Sequence, residues 1–131
     1  MLDASKSRYA EITEVKTVNE GYLGSYLLYH IRIKDAQTFP DLSLSLKDNS
    51  IEVIERRYSD FEFFHNKIKE SYKAQLLPAL PERRLFTILG SGSSEFNKVR
   101  RQDLEIYINK ILSNKQLMAL EESKRFFSNV N

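Results

Sequence analysis

The feature that most constrains this chain is a change of hydrophobic period at Arg56-Arg57-Tyr58-Ser59-Asp60-Phe61. Upstream, Leu27, Tyr29, Ile31 and Ile33 alternate with Leu28, His30 and Arg32, the pattern of a strand with two different faces. Downstream, Phe61, Phe64, Ile68 and Tyr72 recur at helical spacing and make one apolar stripe. A period of two suits a sheet and a period near 3.6 suits a helix, so these six residues form a strand-to-helix junction. Two guanidiniums and a phenol placed there make either an anion site or an ordinary charged strand end. Strand alternation sends Arg56 and Arg57 to opposite faces, so only one of them can enter a given pocket. Alternation alone does not say which.

The remaining elements follow from the same reading. Arg8 to Val18 is a β-branched, partly alternating strand, and the turn residues Asn19-Glu20-Gly21 and Gly24-Ser25 lead it into a second strand, Tyr26 to Lys34, as a hairpin. Residues 35–50 contain Pro40 and the Asp48-Asn49-Ser50 cluster and read as a long connection with some strand at its ends. Ile51 to Tyr58 is then a third strand, antiparallel to the second. The first helix is expected to start at Ser59, where Ser59 and Glu62 have capping-box spacing, and Pro78 and Pro81 end it before Leu77. Residues 85–94 read as a mobile loop. A second helix from about Glu95 to Leu112 is built on Leu104, Ile108, Ile111 and Leu112, supported by Phe96 and Val99, and a third from about Gln116 carries Leu117, Leu120 and Phe127. Sheet first and helices afterwards, without alternation of the two, is an α+β class. The 131 residues are enough for one core, so residues 1–131 are read as a single domain, with residues 1–7 expected to be disordered.

Several chemistries are excluded. Without cysteine there is no disulfide and no thiolate site. His30 and His65 have no ligand spacing and read as surface or boundary histidines, so no metal site is expected. The serines around Gly90 do not form G-x-S-x-G, and Glu95 stands where G-x-G-x-x-G needs its last glycine. Neither catalysis nor a cofactor is expected. The start of the chain lacks the apolar core of a signal peptide, and no run approaches the roughly 18 apolar residues of a membrane span. The formal net charge of +2 hides an uneven distribution: Arg56 to Leu112 holds 11 Lys and Arg against 7 Asp and Glu. A basic middle fits an anionic partner as well as solvated helix faces.

Within that middle, Arg57 offers a planar fork of donors that matches a phosphate, and Tyr58 beside it offers one wall for a ring-shaped ligand. Arg100 lies one turn before Leu104 on the buried stripe of its helix, a place an arginine seldom takes without an anionic partner. That partner is a ligand or an internal acid such as Glu62 or Glu70. Leu77-Pro78-Ala79-Leu80-Pro81, followed by Glu82-Arg83-Arg84, is a P-x-x-P segment. It is either a structural arm or a ligand for a proline-motif-binding protein. The apolar Leu85, Phe86, Ile88 and Leu89 that follow are suited to insertion into an anionic membrane or to closing the core.

The order of these features resembles the PX (phox homology) domain of sorting nexins. The resemblance runs from about Tyr9 to Phe127 and rests on Arg-Arg-Tyr-Ser-Asp-Phe and on Phe96-Asn97-Lys98-Val99-Arg100-Arg101-Gln102-Asp103-Leu104-Glu105. It implies a three-stranded antiparallel sheet packed against a helical subdomain, with a polyproline arm. It also implies a module that binds membrane phosphoinositides, most often phosphatidylinositol 3-phosphate, on endosomal or vacuolar membranes in protein sorting, without nucleic acid and without catalysis. Carried over by position, Arg57 is similar to the family's ligand for the 3-phosphate and Tyr58 to the ring that packs on the inositol. Arg100 is similar to the arginine on the 4- and 5-hydroxyls. The lysine that usually meets the 1-phosphate has no counterpart here; Arg83 is the best-aligned substitute and Arg84 the second. Arg56 is expected to point the other way and to matter less. The alternative function is a protein-interaction module that uses the proline segment or the 35–50 loop.

Overall fold

In the computed structural model the described residues are 8–35, 50–72, 77–81 and 94–129. Three strands, β1 (Arg8–Asn19), β2 (Ser25–Asp35) and β3 (Ser50–Arg57), form one antiparallel sheet in the order β1-β2-β3. The helices are α1 (Tyr58–Ser71), α2 (Ser94–Leu112), α3 (Lys115–Met118) and α4 (Glu121–Phe126). The α+β architecture and both hairpin partners are those the hydrophobic periods require. Leu77–Pro81 lies outside helix and strand, with Leu77 and Leu80 packed against the core.

The hairpin between β1 and β2 closes through a short 3₁₀ turn, Gly21–Leu23. Its two glycines have φ of 67° and 94°, left-handed backbone that a side chain would strain. The turn holds itself with a bond from Glu20 N–H to Gly24 O (2.8 Å) and another from Gly21 N–H to Asn19 Oδ1 (2.9 Å). Tyr22 and Leu23 are consequently left outside the core, 97% and 71% exposed.

Tyr29, Ile31 and Ile33 of β2 and Ile54 of β3 are buried on one sheet face, in one cluster with Phe61, Phe64 and Ile68 of α1 and Leu104, Tyr107, Ile108 and Ile111 of α2. Helix α2 also guards the outer edge of β1. Asn109 accepts from Ala10 N–H (2.7 Å) and donates to Ala10 O (2.9 Å), while Glu105 accepts from Ile12 N–H (2.9 Å). Side chains thus stand where a neighbouring strand would otherwise pair.

Three sequence expectations need correction. Helix α1 starts at Tyr58, so Arg57 is the N-cap and Asp60 takes the third position. The Asp60 carboxylate accepts from Arg57 N–H at 2.9 Å, the role that spacing had given to Ser59 and Glu62. The third helix is two short ones, because Phe126 and Phe127 are both buried, and one continuous helix from Gln116 could not aim adjacent residues into the core together with Leu117. Asn114 caps the first piece by accepting from Leu117 N–H (3.0 Å). Val99 is 50% exposed and supports nothing in the core. Residues 1–7, nearly all of the 35–50 connection, and the Arg83-Arg84 and Leu85–Leu89 positions lie outside the described residues.

Candidate functional site

The register of β2 and β3 decides what alternation left open. Arg56 is opposite Tyr29 and Arg57 is opposite Leu28. Directly opposed residues share a face, so Arg56 is on the core side with Tyr29, and Arg57 is on the outer side with Leu28.

Arg56 is consumed by the fold. Its Nε and Nη2 donate to Phe126 O (3.1 and 2.8 Å), Nη2 also donates to Ser128 O (2.8 Å), and Nη1 donates to Glu55 O (2.8 Å). Its guanidinium carbon lies 5.4 Å from the centre of the Phe126 ring. A cation on the last carbonyls of α4 is favourable, since those groups have no partner within the helix. Burial pushes the Arg56 pKa down, opposed by the nearby Asp60 carboxylate. Beyond this contact Asn129 donates to Val53 O, and its own N–H meets Glu52 Oε2 (3.1 Å), fastening the tail along β3.

Arg57 is exposed. Its guanidinium carbon lies 3.9 Å from the centre of the Tyr26 ring, and among the described residues it stands in no ion pair. The nearest acid on its own strand face, Glu55, is occupied by Lys16 Nζ (3.3 Å) and His30 Nδ1 (3.3 Å). The hydrogen bond from His30, then Lys16, holds the Glu55 carboxyl below its usual range.

Tyr58 follows Arg57 and is only 9% exposed. Its hydroxyl donates to Pro81 O, which ties the first turn of α1 to the proline segment. Arg100 is 5% exposed and looks toward Tyr29 and Tyr58. Burial lowers its pKa, and the Tyr29 hydroxyl, followed by that of Tyr58, pulls it back. Tyr29 shows the converse: burial raises its pKa and Arg100 lowers it. The two side chains are close electrostatically, yet Tyr29 Oη makes no hydrogen bond of good geometry. Burial among phenols does not neutralise a guanidinium, so Arg100 stays cationic.

The structure therefore brings Tyr58, Arg100 and the proline segment together around one group of phenols, with Arg57 joined to it through the backbone. Sequence reasoning missed Tyr26 and Tyr29, the aromatic partners of the two arginines. Tyr29 was visible only as a core residue, and nothing local marks Tyr26 as a platform. It also missed a buried extension, where Tyr107 Oη and His65 Nδ1 are 2.8 Å apart. Burial, then Tyr58, pushes the Tyr107 pKa well above the usual phenol range, so Tyr107 keeps its proton beside the His65 ring nitrogen. A separate open cleft of about 620 Å³, lined by Arg56, Asp60, Phe63, Lys67, Glu122 and Arg125 among others, mixes both charge signs and excludes Arg57, Tyr58 and Arg100.

Comparison with known proteins agrees with this fold. The sequence model of the PX domain matches residues 44–129. Sorting nexin 1 of Arabidopsis thaliana is 34% identical over 74 residues, 56% of this chain and 18% of that protein. Sorting nexin-4 of Eremothecium gossypii is 30% identical over 88 residues, 67% of this chain and 21% of that protein. The chain thus spans about a fifth of the length of these curated relatives. Among solved structures, a designed CISK-PX domain superposes with a TM-score of 0.66 at 25% identity, covering 90% of this chain and 96% of that one. The mouse SNX19 PX domain with bound sulphate ion shares the fold, with a TM-score of 0.59 at 17% identity over 94% and 97% of the two chains. The family match extends from before β3 to the end of α4, and the superposition on the designed CISK-PX domain covers most of the chain. The chain belongs to the PX domain family and is similar to the sorting-nexin members of it.

Proposed function

We propose that this PX domain, a phosphoinositide-binding module of membrane-trafficking proteins, recognises phosphatidylinositol 3-phosphate in endosomal or vacuolar membranes and does so without catalysis. Arg57 takes the 3-phosphate, Tyr58 walls the inositol, and Arg100 meets the 4- and 5-hydroxyls from below. Arg83, or Arg84 in second place, takes the 1-phosphate. The observation that carries the reading is the division of the two adjacent arginines: Arg56 is held by main-chain carbonyls, whereas Arg57 is exposed, lies over the Tyr26 ring and stands in no ion pair among the described residues. Charge-assisted hydrogen bonds of this kind contribute about 1.5–3 kcal/mol each.

Membrane contact adds to headgroup binding. Tyr22 and Leu23 project at the end of the hairpin close in sequence to Tyr26, and Leu85, Phe86, Ile88 and Leu89 supply further apolar side chains. Each apolar side chain fully buried in lipid contributes up to roughly 1.5–3 kcal/mol. The proline segment turns Leu77 and Leu80 inward and gives its Pro81 carbonyl to Tyr58, which favours a structural arm over a free ligand for a partner protein.

Binding to vesicles with and without phosphatidylinositol 3-phosphate, compared across the other phosphoinositides, tests the assignment. Arg57→Ala is expected to cost about 2–3 kcal/mol, roughly thirty- to hundredfold in affinity. Unchanged binding by that variant would overturn it.

A further inference from the structure

We propose that Tyr26 is a positioning residue for Arg57: its ring fixes the guanidinium in a ligand-ready orientation while leaving the hydrogen-bonding edge unused. The inference rests on the reading of Arg57 given above. Arg57 is opposite Leu28, and Tyr26 lies two residues from Leu28 on the same face of β2, which makes Tyr26 the diagonal neighbour of Arg57. The 3.9 Å separation of the guanidinium carbon from the ring centroid is that of a cation lying over the ring face.

The chemistry of the support decides its effect. An acid in the same place would take the N–H donors that a phosphate needs. A ring takes only the flat face of the guanidinium and leaves its N–H edge for a bidentate contact. Glu55, the acid best placed to compete, is held by Lys16 and His30. Tyr26 itself is half-buried and outside the buried core cluster, so replacing it leaves the core residues in place. An arginine held in one orientation before binding loses less rotamer freedom when the ligand arrives.

Tyr26→Phe, Tyr26→Leu, Arg57→Ala and the double variant Tyr26→Leu/Arg57→Ala separate the possibilities. In the free protein, the Arg57 side-chain protons should show an upfield ring-current shift by NMR, kept in Tyr26→Phe and lost in Tyr26→Leu. Titration with soluble inositol 1,3-bisphosphate should be within about twofold of wild type for Tyr26→Phe and about five- to tenfold weaker for Tyr26→Leu, at unchanged melting temperature. On vesicles containing phosphatidylinositol 3-phosphate, adding Tyr26→Leu to Arg57→Ala should cause no further loss. Absence of the ring-current shift, wild-type headgroup binding by Tyr26→Leu, or an equal loss in both Arg57 backgrounds would each overturn the proposal. If Arg57→Ala binds as wild type while the ring-current shift is present, the functional reading of Arg57 fails, and the positioning role with it.

Discussion

On the core side of β3, Arg56 spends its guanidinium on the carbonyls of Phe126, Ser128 and Glu55; on the outer side, one residue later, Arg57 rests on the ring of Tyr26. The two residues have the same chemistry and are consecutive in the chain. Their environments differ because a strand turns successive side chains to opposite faces and only one face here meets helices. Carbonyls satisfy a guanidinium permanently, so the inner arginine acts as a structural clamp. A ring leaves the donors of the outer one available. A charged residue at a strand end is therefore classified by what its donors already touch, not by its charge.

Mutations can break or sharpen this division. The largest effect is expected at Phe61, which is fully buried and sets its ring edge-on to Tyr29 (6.1 Å) and Phe126 (5.2 Å), one residue set from each side of the junction. Phe61→Ala should cost about 3–5 kcal/mol of stability and weaken both arginine environments, as read by denaturant unfolding. Next, Arg56→Ala should cost about 2–3 kcal/mol of stability by leaving the α4 carbonyls without their cation, while the folded fraction keeps its affinity for lipid vesicles. Arg57→Ala should do the reverse. If both variants lost binding equally at equal stability, the division of roles would be wrong.

The smallest expected effect is a pH dependence. Burial, then Lys69, lowers the His65 pKa below its ordinary value, so the folded state prefers neutral His65, paired with Tyr107. Below the unfolded value of about 6.5 the unfolded chain binds the proton more readily. The stabilisation is therefore complete above that pH and is lost as pH falls from there through the depressed folded value. Melting temperature measured at pH 7.5 and 5.5 should drop in the wild type and drop less in His65→Asn. An equal drop in both would remove His65 from the account.

Much of the architecture was legible because burial repeats at fixed periods. The β2 face of Tyr29, Ile31 and Ile33 and the α2 stripe of Leu104, Ile108 and Ile111 are buried where the periods place them. The boundaries were less legible. Ser59 and Glu62 have the right spacing for a capping box, but Asp60 is nearer the first turn once the helix starts at Tyr58, and caps compete on geometry that spacing alone does not contain. The break between α3 and α4 was hidden because Leu117, Leu120 and Phe127 fit helical spacing, and only the tertiary packing buries Phe126 beside Phe127.

By itself the sequence determined the strand-to-helix junction, the α+β class and the rule that only one of two arginines could serve, since each follows from the periodicity of the backbone. Which arginine is the inner one depends on strand register and on what packs against each face. Those are contacts between residues distant in sequence, such as Arg56 with Phe126 and Ser128, or Arg57 with Tyr26. Only the tertiary structure places them.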